Sequence, residues 1–152
     1  MKKKKKTTTK KIKVVKVKNF DSMTVSQVME KEVQFVRMKT KGDVIASLLI
    51  EGFGAVPVVD NGRQLAGIVS EHDLLAAVDD GHQLDAVSAK DIMTSNPYSV
   101  RSETTLGTLV HVLRASDLVR VPVVNKKDKL IGIIARRDVL RTYLATGGKR
   151  EK

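Results

Sequence analysis

The chain repeats itself at a nearly constant interval, and that feature constrains its fold more than any other. Met29 is matched by Met93, and Val36-Arg37 by Val100-Arg101, at one common spacing. Pro57-Val58-Val59 is matched by Pro122-Val123-Val124, a single position further apart. Leu65, Gly67, Ile68 and Asp73 find Leu130, Gly132, Ile133 and Asp138 at the same interval as the two PVV segments. Small compensating length differences fall between Val36 and Pro57. Self-similarity of this kind marks a tandem duplication in which each copy is one supersecondary unit. The chain of 152 residues is then one ordinary domain, or two very small ones sharing a core.

Each copy reads as strand-helix-strand-strand-helix. In the first, the elements are 33–37, 43–51, 56–59, 65–70 and 71–78, with Asn61-Gly62 as a hairpin turn. In the second, Ser88 to Asp91 forms a capping box that opens a helical turn, and Pro97 ends it. Thr104 or Thr105 caps a helix carrying Leu106, Leu109, Val110 and Leu113 at 3–4 spacing. The β-branched run 119–124 is a buried strand, 130–135 the next strand, and 136–144 the last helix. Three short strands and two helices are too few to bury one copy's apolar face. Two copies packed sheet to sheet around a pseudo-twofold axis solve that. The expected fold class is therefore mixed α+β, built from two βαββα repeats. The expected boundaries are a basic tail or arm 1–20, repeats 21–80 and 88–146, a linker 81–87 and a C-terminal tail 147–152.

The formal net charge of +11 is unevenly spread. Ten lysines stand between Met1 and Lys18, with no acid among them. Past Lys18 the basic residues outnumber the 17 acidic ones by only one, so the body is almost neutral. A nucleic-acid-binding fold normally carries a basic face on the body, so the charge balance places any polyanion contact on the tail alone. Residues 1–11 are low-complexity Lys/Thr and expected to be solvated; 12–18 alternate as an edge strand or extended arm. No apolar run reaches the ~20 residues of a membrane span, and no secretory signal is visible. Cysteine is absent, which excludes disulfides, Cys-zinc sites and thiol nucleophiles.

Ser70 and Asp73 stand out chemically, at the junction of a strand and a helix. Ser at the N-cap with an acid three residues on is a capping box, a purely local structural role. A helix N-terminus also presents free N–H groups and positive potential to anions. The second copy keeps Asp138 but has Ala135 in place of the hydroxyl. It carries Arg120 where the first has Ala55, and Arg136-Arg137 where the first has Glu71-His72. Arg136 and Arg137 are read as a solvated helix face, and His111 as packed or half-exposed. The cluster Glu71, His72, Asp73, Asp79, Asp80 and His82 offers no pair spaced to ligate a metal from one helix face. No metal site is assigned, nor any catalytic residue.

The "PVV" strands followed by "GIVSEHDLL" and "GIIARRDVL", with "VSQVM" and "AKDIMT" opening the repeats, resemble a tandem pair of cystathionine β-synthase (CBS) domains, the Bateman module. The resemblance spans residues 22–145. It implies a regulatory, non-enzymatic module that binds AMP, ADP, ATP or S-adenosylmethionine in clefts between the repeats and modulates a partner protein. It carries ribose contacts onto Ser70, Asp73 and Asp138, and a phosphate contact onto Arg120. It also implies a cytoplasmic homodimer that requires no cofactor, with the apolar stripe on 104–115 a candidate dimer surface. The alternatives are a ligand-free structural or interaction module, and a polyanion-binding adaptor that reaches nucleic acid only through the lysine tail.

Overall fold

The computed structural model describes residues 19–116 and 118–150. The lysine tail and its alternating stretch lie outside the described residues. Helices and strands are mixed, and the chain divides into two compact units. One takes Lys31–Ser99 with Val124–Gly132; the other takes the described residues up to Glu30, Val100–Val123 and those from Ile133 onward.

The first unit is built on a four-stranded sheet of order β1-β2-β3-β4. Its strands are β1 (Val36–Arg37), β2 (Ala55–Val59), β3 (Leu65–Ser70) and β4 (Thr94–Ser95). β1 runs parallel to β2 and pairs only with Val58 and Val59, while β2 is antiparallel to β3. One side of Pro57 is thus without a strand partner, the edge-like setting in which proline is tolerated inside a sheet. Helix α1 (Gly42–Leu48) continues into a wider turn, Leu49–Phe53, that is broken at Gly52, with φ 106°. Helix α2 (Glu71–Asp79) follows β3 directly. The short α3 (Ala89–Ile92) brings Ala89 into a core with Val36, Ile45, Leu49, Val56, Val58, Val69 and Leu74. Ser88 donates from its N–H and its hydroxyl to Asp91. The N–H bond, the hydroxyl bond and nearby Lys41 and Lys90 hold the Asp91 carboxyl below its ordinary pKa. A depressed pKa contributes stability above the ordinary carboxylate value, and that contribution disappears as the pH falls.

The second unit carries most of a sheet of order β5-β6-β7, from β5 (Val100–Arg101), β6 (Arg120–Val124) and β7 (Leu130–Ala135). Helix α4 (Leu106–Ser116) starts where the Thr105 hydroxyl accepts the Thr108 N–H, and α5 (Arg136–Ala145) closes the fold. Residues 20–30 lie along these elements. Leu106 N–H donates to the Met23 carbonyl at 2.7 Å, and Glu30 and Ile133 exchange both backbone bonds at 2.8 and 3.0 Å. Phe20 sets its ring edge-on to Tyr143, with centroids 5.4 Å apart.

Each unit therefore combines the opening of one repeat with the body of the other. Ser95 and Thr94 pair with Gly67 and Ile68 of β3, just as Glu30 pairs with Ile133 of β7. This explains the glycine of the first repeat. A Cβ on Gly67 would meet the Met93 thioether well inside contact distance and the Thr94 carbonyl oxygen at 2.9 Å. Gly67→Ala is expected to lower stability by about 1–3 kcal/mol in urea unfolding, the usual cost of overpacking. Gly62→Ala, whose Cβ would find only Asp60 Oδ1 at 3.5 Å, should stay within about 0.5 kcal/mol.

Two local expectations are corrected. The hairpin is not a two-residue Asn-Gly turn, because the left-handed residue is Arg63, at φ 68°. The Asp60 carboxylate accepts from the N–H groups of Gly62 and Gln64 and closes the loop 60–64. Asn125 does the same for Lys127 and Lys129, with Asp128 left-handed at φ 63°. A side-chain acceptor at the first loop position replaces the turn that Asn-Gly alone would form. The extended residues 33–35 also form no strand, since β1 is confined to Val36–Arg37.

Candidate functional site

β3 delivers Ser70 to the start of α2, directly across from Ala55 on β2. The Ser70 N–H donates to Asp73 Oδ2 at 2.8 Å and its hydroxyl donates to the same oxygen at 3.0 Å. The Asp73 N–H returns to Ser70 Oγ at 3.2 Å. The capping box is complete, and both residues are half-buried. It uses only one carboxylate oxygen. Asp73 Oδ1 has no hydrogen-bond partner among the described residues. That oxygen is a charged acceptor at the positive end of α2, where an ionised carboxylate forms strong hydrogen bonds to hydroxyl donors.

The second repeat reproduces the backbone and changes the side chains. Glu71 N–H donates to the Gly54 carbonyl at 3.3 Å, and Arg136 N–H makes the equivalent bond to the Val119 carbonyl at 3.0 Å. The Ala135 N–H donates to Asp138 Oδ2 at 3.0 Å, with no hydroxyl to add a second bond. The remaining oxygen, Oδ1, accepts from Arg141 at 3.1 Å. Arg141 was not anticipated, although its i,i+3 spacing from Asp138 was a readable signal; the first repeat has Ala76 there.

A family model of the CBS domain matches the chain twice, over residues 25–80 and 89–145. The chain belongs to the CBS-domain family. It is 32% identical over 126 residues to an uncharacterized protein of Methanocaldococcus jannaschii, a match covering 81% of this chain and 45% of that one. It is 29% identical to a CBS domain-containing protein of Dictyostelium discoideum, over 76% of this chain and 88% of that protein. Among solved structures, that of Arabidopsis thaliana CBSX2 in complex with AMP matches with a TM-score of 0.73 at 33% identity. That match covers 80% of this chain and 96% of CBSX2.

The remaining candidates fall as follows around the CBS repeats. Arg120 opens β6, half-buried, and among the described residues no ion pair or side-chain hydrogen bond engages it. Arg136 is not the solvated cation expected: it is half-buried and its Nε donates to the Leu118 carbonyl. Arg137 is exposed, and so is His111, which was expected to be packed or half-exposed. Among the described residues no group of three His, Asp or Glu is placed to hold a metal. No helix there is long and apolar enough to cross a membrane.

The apolar stripe on α4 is consumed by the core, since Leu106, Leu109 and Leu113 are buried. The exposed apolar side chains sit elsewhere. In one unit, Ile50, Leu75 and Val78 border a groove of about 410 Å³; in the other, Leu140 borders one of about 360 Å³.

Proposed function

We propose that this CBS pair is a regulatory module that senses an adenosyl ligand and modulates a partner protein rather than catalysing a reaction. The observation that carries the reading is the Asp73 carboxylate, with one oxygen tied into the cap of α2 and the other uncommitted, suited to a ribose diol. The AMP bound by CBSX2, which shares 33% identity with this chain, supports the same ligand class. In the second repeat Asp138 would serve the ribose and Arg120 the phosphate. A ligand that binds only the folded state stabilises it by mass action. Thermal shift of the purified protein against AMP, ADP, ATP and S-adenosylmethionine therefore tests the proposal. A rise with at least one of them is expected. No shift and no calorimetric binding at millimolar concentration would leave the ligand-free structural role in its place.

The two sites should be unequal. Adenosine, which has no phosphate, should favour Ser70 and Asp73, and ligands with more phosphates should gain most at Arg120. Arg141 sharpens the difference, because it competes for the Asp138 oxygen a ribose would use. The pair is exposed on the Arg141 side, and exposed ion pairs contribute about 0–1 kcal/mol. Arg141→Ala should raise adenosine affinity at the Asp138 site by up to about fivefold and leave the Ser70/Asp73 site unchanged, as followed by NMR titration of the two helix starts. Equal changes at both sites, or none, would remove Arg141 from the account.

We also propose a homodimer formed through exposed apolar helix faces, those of Leu75 and Val78 on α2 and of Leu140 and Leu144 on α5. Light scattering at twice the chain mass is the expected result; monomer mass across a wide concentration range would exclude it.

A further inference from the structure

The body is almost neutral in sum, yet one end of the first unit gathers cations from four separate stretches of sequence. Arg37 leaves the end of β1 and donates from Nη1 to the Asp60 carbonyl at 2.9 Å. Its guanidinium lies 5.7 Å from the Phe35 ring centroid, and that of Arg63, from the β2–β3 loop, lies 4.6 Å from the same ring. Arg63 Nε reaches the Leu130 carbonyl at 3.2 Å, and Gln64 Nε2 reaches the Lys127 carbonyl at 3.0 Å. The loop bearing Lys127 and Lys129 is thereby fixed beside the first hairpin. On the other flank, Lys90 N–H donates to the Met38 carbonyl at 3.0 Å. There Lys39, Lys90 and Arg37 border a groove of about 430 Å³, whose lining also includes the half-buried Met38 together with Asp60, Asn61 and Ser88.

The result is a basic strip, Lys90–Lys39–Arg37–Arg63–Lys129–Lys127, that runs from this groove across two adjoining hairpins. Asp60 lines the same groove, and Asp91 and Asp128 adjoin Lys90 and the Lys127/Lys129 pair along the chain. The first two are turned onto backbone N–H groups of their own turns. We propose that this strip binds single-stranded nucleic acid, with phosphates along the cations and a base against the groove wall.

The geometry favours that occupant over others. A small phosphate ligand would use the groove and leave the hairpin cations idle. A membrane surface would want large apolar side chains among the cations, and none of the exposed ones lines this groove. A duplex keeps its base faces stacked inside and offers none to Met38 or to the guanidinium planes of Arg37 and Arg63. Single strands present both a charged backbone and free base faces, and proteins hold them with cations plus stacking surfaces, including guanidinium planes. The strip is independent of the nucleotide site, since it lies at the hairpin end of β3 and Ser70 at the other.

The test uses the full chain, so that the lysine tail contributes equally to every variant. Anisotropy of a labelled 12-nucleotide oligouridylate is read across a salt series. The double variant Lys39→Glu/Lys129→Glu is compared with Arg114→Glu/Lys149→Glu, which changes the net charge equally at exposed positions off the strip. Removing two phosphate contacts should flatten the log–log salt slope by about 1.4 for a single strand and weaken binding about tenfold at low salt. The off-strip pair should leave the slope nearly unchanged. Equal losses in both pairs would mean that the tail and net charge do the binding, which overturns the proposal. Crosslinking of a 4-thiouridine oligonucleotide to the unmodified protein reads the same question without any substitution. Adducts in residues 35–39 and 126–130 are expected, whereas adducts confined to residues 1–18 would refute the strip. A duplex of equal length that binds as tightly as the single strand would refute the part played by the groove.

Discussion

Leu109→Ala should destabilise the protein by about 2–5 kcal/mol, the range for truncating a fully buried leucine whose cavity cannot collapse. Leu109 is 0% exposed on the inner face of α4, flanked by Leu106 and Leu113 one turn away on either side. Truncation removes buried methyl groups and leaves their former neighbours without contacts. Val44→Ala likewise truncates an apolar side chain on α1, where it is 51% exposed and outside the proposed dimer faces, and should cost no more than about 0.5 kcal/mol beyond helix propensity. Urea unfolding of both variants checks the pair. A similar loss from each would mean that α4 does not pack as described.

Asp73→Ala should weaken adenosyl-ligand binding by about 1.5–3 kcal/mol, or roughly 10- to 150-fold, the worth of hydrogen bonds to a charged acceptor. The same substitution also breaks the cap, because Asp73 Oδ2 holds both the N–H and the hydroxyl of Ser70. Loss of such a cap costs about 0.5–2 kcal/mol of stability. Asp73→Asn separates the two effects. An amide retains an acceptor oxygen for the cap but loses the charge that a ribose diol would meet. Calorimetry under conditions where every variant is folded should show weakened binding for both substitutions, while the melting temperature falls mainly for Ala. Unchanged affinity in Asp73→Asn would return Asp73 to a purely structural role.

The parts of this fold legible in the sequence share a range of a few residues. The Ser70/Asp73 and Ser88/Asp91 boxes, the stripe of Leu106, Leu109 and Leu113, and the PVV strands were all visible as spacings, and they form as written. Arg141 on Asp138 is equally local, but its signal lies inside the helix, where an i,i+3 pair of opposite charges is common and marks no site by itself. The hairpin misled for a different reason. Asn61-Gly62 is a strong turn signal by itself, but the Asp60 side chain one residue earlier supplies the acceptor that sets the loop.

The repeat interval by itself determined that the chain holds two copies of one unit and the order of their main strands and helices, because periodicity and i,i+3 contacts depend only on neighbours along the chain. The sequence also determined that the body carries almost no net charge. Only the tertiary structure decided where that charge lies, bringing Arg37, Arg63 and Lys129 from three stretches to one end of a sheet. Only it decided that Met93 and Thr94 cover Gly67 of the first repeat while Glu30 pairs with Ile133 of the second. The two openings and the two bodies are near copies, so local pattern offers the same partner twice. Which opening packs on which body depends on complementarity between surfaces far apart along the chain, and on the entropy of the loops that must close to join them. Neither is written in any short stretch of sequence.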